Sequence, residues 1–328
     1  MNAVAATVEA VADAAGRHVR ALMTSLEQRL AELAADHGEV LARHGGDTIA
    51  AGGKRLRPLV VFVAAGGIPG DGGRALVRAA AAVELVHSAT LVHDDILDAA
   101  DLRRGRPTVV ASAGRAMATA TGDLLFSRAF AELARNERRD EVRALSVAST
   151  ALARGELLQR AEAFDVGVTL ERYLRRCELK TAALFQAACE LGALEGGADE
   201  TRVGELAAFG RRIGLAFQLL DDVLDVSGPP GRTGKRRGAD LLDGTVTLPL
   251  ILARERSDDV AAFDLREIGG PAEAEALCDA IEATGAAEDA RRLALEMVNE
   301  ASATLPPLPT AQLHALHLIA DGVVDRYA

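Results

Sequence analysis

The chain has 328 residues, with 48 Asp and Glu against 37 Lys and Arg, a formal net charge of −11 at neutral pH. That balance argues against a nucleic-acid binder, whose affinity comes largely from cationic contacts to phosphates. Aromatics at 3% with no Trp leave little for base-stacking platforms. Apolar residues make up 49%, enough for a sizeable core and too many for an intrinsically disordered chain. An acidic chain still binds anions where its cations cluster or where a divalent metal reverses the local sign.

Helical periodicity runs through the sequence in chain order. Residues 1–44 carry Val4, Val8, Val11, Val19, Leu22, Leu26, Leu30 and Leu33 mostly at three- and four-residue steps, with Glu, Arg and Gln between them. The run Leu59-Val-Val-Phe-Val63 follows Pro58, a good first helical residue, and continues into Ala64-Ala65, so it reads as a buried helix. Gly45-Gly46, Gly52-Gly53, Gly66–Gly73, Gly105-Arg-Pro107, Gly196-Gly197 and Leu305-Pro-Pro-Leu-Pro309 mark breaks. Ser227–Gly238 reads as a flexible basic loop. No sustained period-two alternation and no long linker is found. The expected architecture is all-α, one domain over 1–328 with ten or so helices. Glu9 and Asp13 interrupt the N-terminus, which does not read as a signal peptide. The longest uncharged apolar run, Leu59 to Ile68, is about half of the ~20 residues a span requires, so no membrane span is expected. Cys177, Cys189 and Cys278 are scattered and form no CxxC pair, which points to a reducing, cytoplasmic setting.

Two clusters read DDxxD: Asp94-Asp95-Ile-Leu-Asp98 and Asp221-Asp222-Val-Leu-Asp225. On a helix, positions i and i+4 share a face, so Asp94 aligns with Asp98 and Asp221 with Asp225. Like charges so placed repel, and a divalent cation removes the penalty. Few hard oxygen ligands, completed by water and phosphate, suit Mg²⁺. Basic residues cluster too, in Gly52-Gly53-Lys54-Arg55-Leu56-Arg57-Pro58, in Arg103-Arg104-Gly105-Arg106, at Lys180-Thr181 and in Gly234-Lys235-Arg236-Arg237. Arg forks match phosphate oxygens and Lys acts as a point charge. Neither GxxxxGK[ST] nor GxGxxG occurs, so P-loop and dinucleotide readings lack their parts. The clusters together suggest a site for a diphosphate with Mg²⁺.

The order GGKRLRP (52–58), HDDILDAADLRRGRPT (93–108), GELLQ (155–159), KTAALF (180–185), FQLLDDVLD (217–225), GK (234–235) and DLLDGTVTLP (240–249) resembles the trans-isoprenyl (polyprenyl) diphosphate synthase family, long-chain type, over nearly the whole length. The resemblance implies a large helical bundle of the isoprenoid synthase type, its central cavity lined by the two aspartate-rich helices. It implies that Lys54, Arg57, His87 and Arg104 hold the diphosphate of isopentenyl diphosphate. Arg103, Lys180, Thr181, Gln218 and Lys235 would hold the allylic diphosphate. Asp94, Asp98 and Asp221 would ligate Mg²⁺, three ions per site, with Asp95, Asp222 and Asp225 nearby or water-linked. The catalytic set it implies is Asp94, Asp95, Asp98, Arg103, Lys180, Asp221, Asp222 and Asp225. The implied reaction ionises the allylic diphosphate, lets the double bond of isopentenyl diphosphate attack, and passes the proton to the departing diphosphate. Where many members carry Lys, this chain has Thr245, and Arg236 or Arg237 is expected to compensate.

The family sets product length by bulk on the helix before the first cluster. Thr90 lies one turn back from Asp94, and helical geometry places Thr90 and Val86 on the cavity side. The weight given to Ala89 comes from the resemblance. Small residues at Ala89 and Thr90 point to a product of C30 to C50, as for a quinone side chain. Alternatives are a geranylgeranyl or farnesyl diphosphate synthase, a non-catalytic subunit of a heteromeric synthase, and a class I terpene cyclase. A cyclase shapes cations with aromatic walls, and only two Tyr and eight Phe are present. The expected partners are the two substrates and a second copy in a homodimer, with no nucleic acid and the product passing to a membrane.

Overall fold

The computed structural model describes residues 3–36, 44–46, 48–49, 55–103, 105–228 and 237–325. Along the chain run α1 (Ala3–Ala15), α2 (Arg17–Ala35), α3 (Leu56–Ala65) and α4 (Arg74–Leu97), then the two-residue strands β1 (Leu102–Arg103) and β2 (Arg106–Pro107). Next come α5 (Val109–Ala134), α6 (Arg139–Ala161), α7 (Leu170–Cys177), a π-helical turn at Glu178–Ala182, α8 (Ala183–Glu195) and α9 (Glu200–Ser227). The remainder is α10 (Ala239–Leu242), α11 (Leu248–Arg254), α12 (Asp258–Ala262), a 3-10 turn at Leu265–Glu267, α13 (Pro271–Ala283), α14 (Ala286–Ala303) and α15 (Thr310–Asp325). The all-α expectation holds. Among the described residues the only sheet is the antiparallel β1–β2 hairpin, with Arg103 opposite Arg106.

The chain divides into two compact units, one of residues 1–149, 184–210 and 304–322, the other of 150–183, 211–303 and 323–328. In the first, Gly16 at φ 104° ends α1 and starts α2, so the periodic stretch read as continuous is two helices. Val19, Leu22, Leu26, Leu30 and Leu33 form the buried stripe of α2. α3 is buried from Pro58 to Ala64, as its continuous apolar run predicts. A Cβ at Gly192 would overlap Val61 O, and one at Gly196 would overlap Ala65 O, so these glycines let the end of α8 lie directly against the α3 backbone. Gln312 of α15 donates to Val63 O and Ala64 O at 3.0 Å, adding to the bond that Gly66 N makes to Val63 O at the end of α3.

α4 has an 18-residue window of mean hydropathy 1.5, long and apolar enough by composition to cross a membrane, but 72% of that window is buried inside the protein. It is the core helix of this unit. Arg55, in the left-handed region at φ 47°, ties the entry of α3 to two other helices. Its guanidinium donates to Glu27 at 2.7 Å, to Glu84 of α4 at 2.6 Å and to Ile49 O at 2.9 Å.

In the second unit Arg176 is buried and donates to Glu162 at 2.9 Å and to Val246 O. Its guanidinium lies 5.6 Å from the centre of the Tyr173 ring. The helices α11, α13 and α14 bury Leu250, Cys278, Ile281, Ala290 and Val298.

One feature of the first unit is sensitive to pH. Glu141, fully buried at the start of α6, hydrogen-bonds Glu195 and accepts from Asn136 at 2.9 Å. Burial, with the second carboxyl beside it, pushes Glu141 up to about 9. The folded chain therefore keeps a proton that the unfolded chain releases near pH 4.5, and stability falls as pH rises from there to about 9. Glu141→Gln keeps the geometry of the protonated acid and removes that slope. Its melting temperature is expected to exceed that of the parent by an amount that grows between pH 5 and pH 9, reaching a few degrees, as followed by circular dichroism. A constant difference would contradict the shared proton.

Candidate active site

In the first unit, α4 delivers the first cluster in its last turn. Asp98 follows the last helical residue, and its N–H still bonds Asp94 O at 2.8 Å, so the two residues stand one turn apart. Asp94 is half-buried, Asp98 exposed and Asp95 buried. Three acids here oppose the negative end of the helix dipole, and the last turn holds no basic residue to offset them. The chain then turns back through Ala99 at φ 48°. Arg103, on β1, reaches Asp95 Oδ1 at 2.7 Å. Thr108 accepts from Ala111 N at 3.1 Å as the cap of α5 and donates to Ala100 O at 2.6 Å, which fixes the hairpin at both ends.

Other residues singled out in the sequence also lie in this unit. His93 stacks on Phe126 of α5 at 5.9 Å, and a Cβ at Gly122 would overlap its ring, so Gly122 is what admits it. Arg57 lies over the Phe185 ring at 4.5 Å, joining the first basic motif to the end of KTAALF. His87 is half-buried and Ala89 wholly buried. Thr90 turns its hydroxyl back to His87 O at 2.7 Å, which presents its methyl rather than its hydroxyl.

In the second unit, the turn bearing Lys180 and Thr181 is π-helical, a distortion often found at functional sites. Gly155 of GELLQ explains its position: a Cβ there would lie 2.5 Å from Lys180 N and 2.8 Å from its Cα. Lys180 Nζ bonds Glu156 at 2.5 Å and Gln159 at 3.1 Å, both from the same motif. Burial works to raise the Glu156 carboxyl, but Lys180 and Arg160 hold it below its ordinary value.

The second cluster also ends its helix, α9, again with no basic residue in the last turn. Asp222 is buried and accepts from Tyr173 Oη at 2.6 Å and from Gln218 Nε2 at 2.7 Å. Gln218 Oε1 accepts from Thr181 Oγ1 at 2.5 Å. Burial pushes the Asp222 carboxyl well above its ordinary range, with the charge of Asp240 adding to it. Burial and Asp222 likewise keep the Tyr173 phenol protonated. Asp225 spends both oxygens on backbone, accepting from Ala239 N and Asp240 N at 3.2 Å, so it caps α10. Asp221 is half-buried.

The acids thus differ in what they can offer a cation. Asp95, Asp222 and Asp225 are engaged by protein donors. Asp94 and Asp221 are half-buried and Asp98 is exposed. Among the described residues no three His, Cys, Asp or Glu converge on one point. A sparse, hard-oxygen donor set fits Mg²⁺, which keeps water and takes phosphate oxygens, better than a cation that needs an all-protein cage.

Lys54, Arg104, Lys235 and Arg236 lie outside the described residues. Arg237 donates to Val226 O, to Asp279 at 2.6 Å and to Glu282 at 2.7 Å, a structural engagement that competes with any role in replacing the missing Lys at Thr245. Sequence reasoning missed Tyr173, and it quoted Gly155 and Arg55 within motifs without giving either a role. The first two stand beside residues it did single out, but their partners are remote in sequence.

The polyprenyl synthetase family model matches residues 39–283. The heptaprenyl diphosphate synthase component 2 of Geobacillus stearothermophilus is 40% identical, covering 81% of this chain and 83% of its own. The geranylgeranyl diphosphate synthase of Methanosarcina mazei is 39% identical, covering 84% and 86%. The crystal structure of a polyprenyl synthase from Caulobacter crescentus complexed with calcium and isoprenyl diphosphate matches with a TM-score of 0.90 at 34% identity, over 96% of this chain and 98% of that one.

Gly155 gives a direct test of the close approach at Lys180. Gly155→Ala forces the π turn to move, because the obstacle is backbone. It is expected to cost about 1–3 kcal/mol of stability, the range for overpacking a filled site, measured by denaturant unfolding. An unchanged midpoint would show that the contact is not tight.

Proposed function

Because the chain belongs to the polyprenyl synthetase family, a family of prenyltransferase enzymes, we propose that it condenses isopentenyl diphosphate head to tail onto farnesyl or geranylgeranyl diphosphate, giving an all-trans polyprenyl diphosphate of C30 to C50. The observation that carries the reading is the pair of DDxxD clusters, the first in the last turn of its helix and the second reaching the last turn of α9 with Asp225, neither turn holding a basic residue.

Asp94, Asp98 and Asp221 are the metal ligands in this reading. Bound Mg²⁺ supplies Lewis acidity that stabilises charge on the leaving diphosphate. Arg103, Lys180, Gln218 and Lys235 hold the allylic diphosphate, with Thr181 acting through its bond to Gln218; Lys54, Arg57, His87 and Arg104 hold that of isopentenyl diphosphate. Fixed cations aimed at the departing diphosphate favour ionisation because they need no reorganisation as charge develops. The double bond of isopentenyl diphosphate attacks the allylic cation, and the proton leaves to the departing diphosphate. No side chain has to serve as nucleophile. Arg103 also acts on the local fold, because its bond to Asp95 fixes the hairpin from which its remaining guanidinium N–H groups are presented.

Small residues at Ala89 and Thr90 support a long product, since neither blocks a growing chain, and the Thr90 hydroxyl is turned away into its own helix. The relatives span geranylgeranyl and heptaprenyl synthases, so identity alone does not choose a length. The exposed first half of α5, with Ala111, Ala113, Ala116 and Ala120 beyond exposed Leu97 and Leu102, offers an apolar face for a second copy. Three free, buried cysteines suit a reducing cytoplasm. A second reading rests on the Geobacillus relative, which is named as component 2 of its synthase: the chain would then be a component that needs another subunit.

The deciding assay is the purified chain alone with Mg²⁺, primer and isopentenyl diphosphate, with products sized by chromatography. Product from the chain alone excludes the second reading. Asp94→Ala and Asp221→Ala are each expected to lower kcat by about 10²–10³-fold, the size of loss when a charge-stabilising contact is removed. Ala89→Phe is expected to shorten the product while the condensation continues, and an unchanged product profile would remove position 89 from the path of the chain.

A further inference from the structure

We propose that Tyr173 is a positioning residue for the allylic diphosphate, its phenol setting the direction of a hydrogen-bond chain that aims an amide N–H of Gln218 at the anion. This rests on the reading above that Gln218 serves that substrate.

The chain of bonds has one consistent polarity. Tyr173 is wholly buried on α7, and its Oη donates to Asp222 Oδ2 at 2.6 Å. Asp222 takes a second donor, Gln218 Nε2, on its other oxygen at 2.7 Å. The Tyr173 hydroxyl and the Gln218 amide nitrogen each meet one oxygen of Asp222, so Gln218 turns its nitrogen to Asp222 and its oxygen the other way. There Oε1 receives the Thr181 hydroxyl at 2.5 Å, which commits the Thr181 proton. An amide nitrogen carries two hydrogens, and one remains after the bond to Asp222. That hydrogen is the donor this chain leaves for a diphosphate oxygen. Burial agrees with the division: Thr181 is 8% exposed, whereas Gln218 is half-buried and more accessible. Thr181 is then a buttress rather than the contact.

Tyr173 is itself firmly placed. Arg176 lies over its ring, and Arg176 is anchored on Glu162 and Val246 O. Losing the phenol hydroxyl would free Asp222 to rotate. The Gln218 amide, held to the other oxygen of Asp222, would then lose its fixed direction.

Steady-state kinetics of Tyr173→Phe and Thr181→Val, singly and together, test this in the full-length protein. Tyr173→Phe is expected to raise KM for the allylic diphosphate about tenfold, the effect of one hydrogen bond to a charged group, and to leave KM for isopentenyl diphosphate unchanged. Calorimetric binding of a thiolo-diphosphate analogue of farnesyl diphosphate is expected to weaken by the same factor. Since both substitutions release the same amide, the double variant is expected to match the worse single variant. An unchanged allylic KM, an equal rise in both KM values, or multiplying effects in the double variant would each overturn the proposal. If Tyr173→Phe does not fold, Thr181→Ser against Thr181→Val tests the chain from its other end: Ser keeps the donor and the affinity, Val loses both, and equal KM values overturn the proposal. A wild-type chain that turns nothing over overturns the proposed function itself; an active wild type with an unaffected Tyr173→Phe overturns only the role of Tyr173.

Discussion

Two helices end on acids where the helix dipole favours cations, and much of the local structure follows from how those acids are accommodated. Repulsion between exposed acids one turn apart costs about 0.2–0.5 kcal/mol per pair, and opposition to the dipole about 0.3–1 kcal/mol per acid. Water carries penalties of that size, so Asp98 can stay exposed. Burying a carboxylate costs several kcal/mol even after relaxation. Water cannot offset that for Asp95 and Asp222, and each is met by named donors: Arg103 for Asp95, Tyr173 and Gln218 for Asp222. The magnitude of the penalty accounts for the donors that meet the buried acids.

The same sorting explains why the surrounding motifs are rigid. Arg103 can satisfy Asp95 only if the hairpin folds back, and Thr108 holds that fold from the far side. Asp225 can cap α10 only if the chain returns to it after the basic loop. Lys180 meets Glu156 and Gln159 because Gly155 lacks a side chain and lets the two backbones close up. In each case a charge requirement is met by a backbone feature rather than by a further charged residue.

The helices were legible because apolar period is a property of neighbouring residues: the α2 stripe and the buried α3 run could be read directly. The DDxxD spacing was legible for the same reason. The break at Gly16, the left-handed Arg55 and the π turn were not, since a conformation of one or two residues leaves no period. Tyr173 and Asp222 are 49 residues apart, so nothing local marks Tyr173 as their link. α4 is a different case. Its composition alone passes for a membrane span, and only the neighbours that cover it distinguish a core helix.

The net charge of −11 illustrates what a whole-chain sum hides. At physiological ionic strength charges separated by more than about 8 Å are largely screened where solvent reaches them. Most of the 48 acids therefore have little influence on a bound diphosphate. The acids that matter are those within a turn or two of it, and several of these are already occupied by Arg, Tyr, Gln or backbone N–H donors. Under the proposed reading, Arg103 in the first unit keeps guanidinium N–H groups beyond Asp95, and Lys180 in the second keeps an ammonium whose charge Glu156 shares. Anion binding by an acidic chain is then an ordinary result of distance and screening.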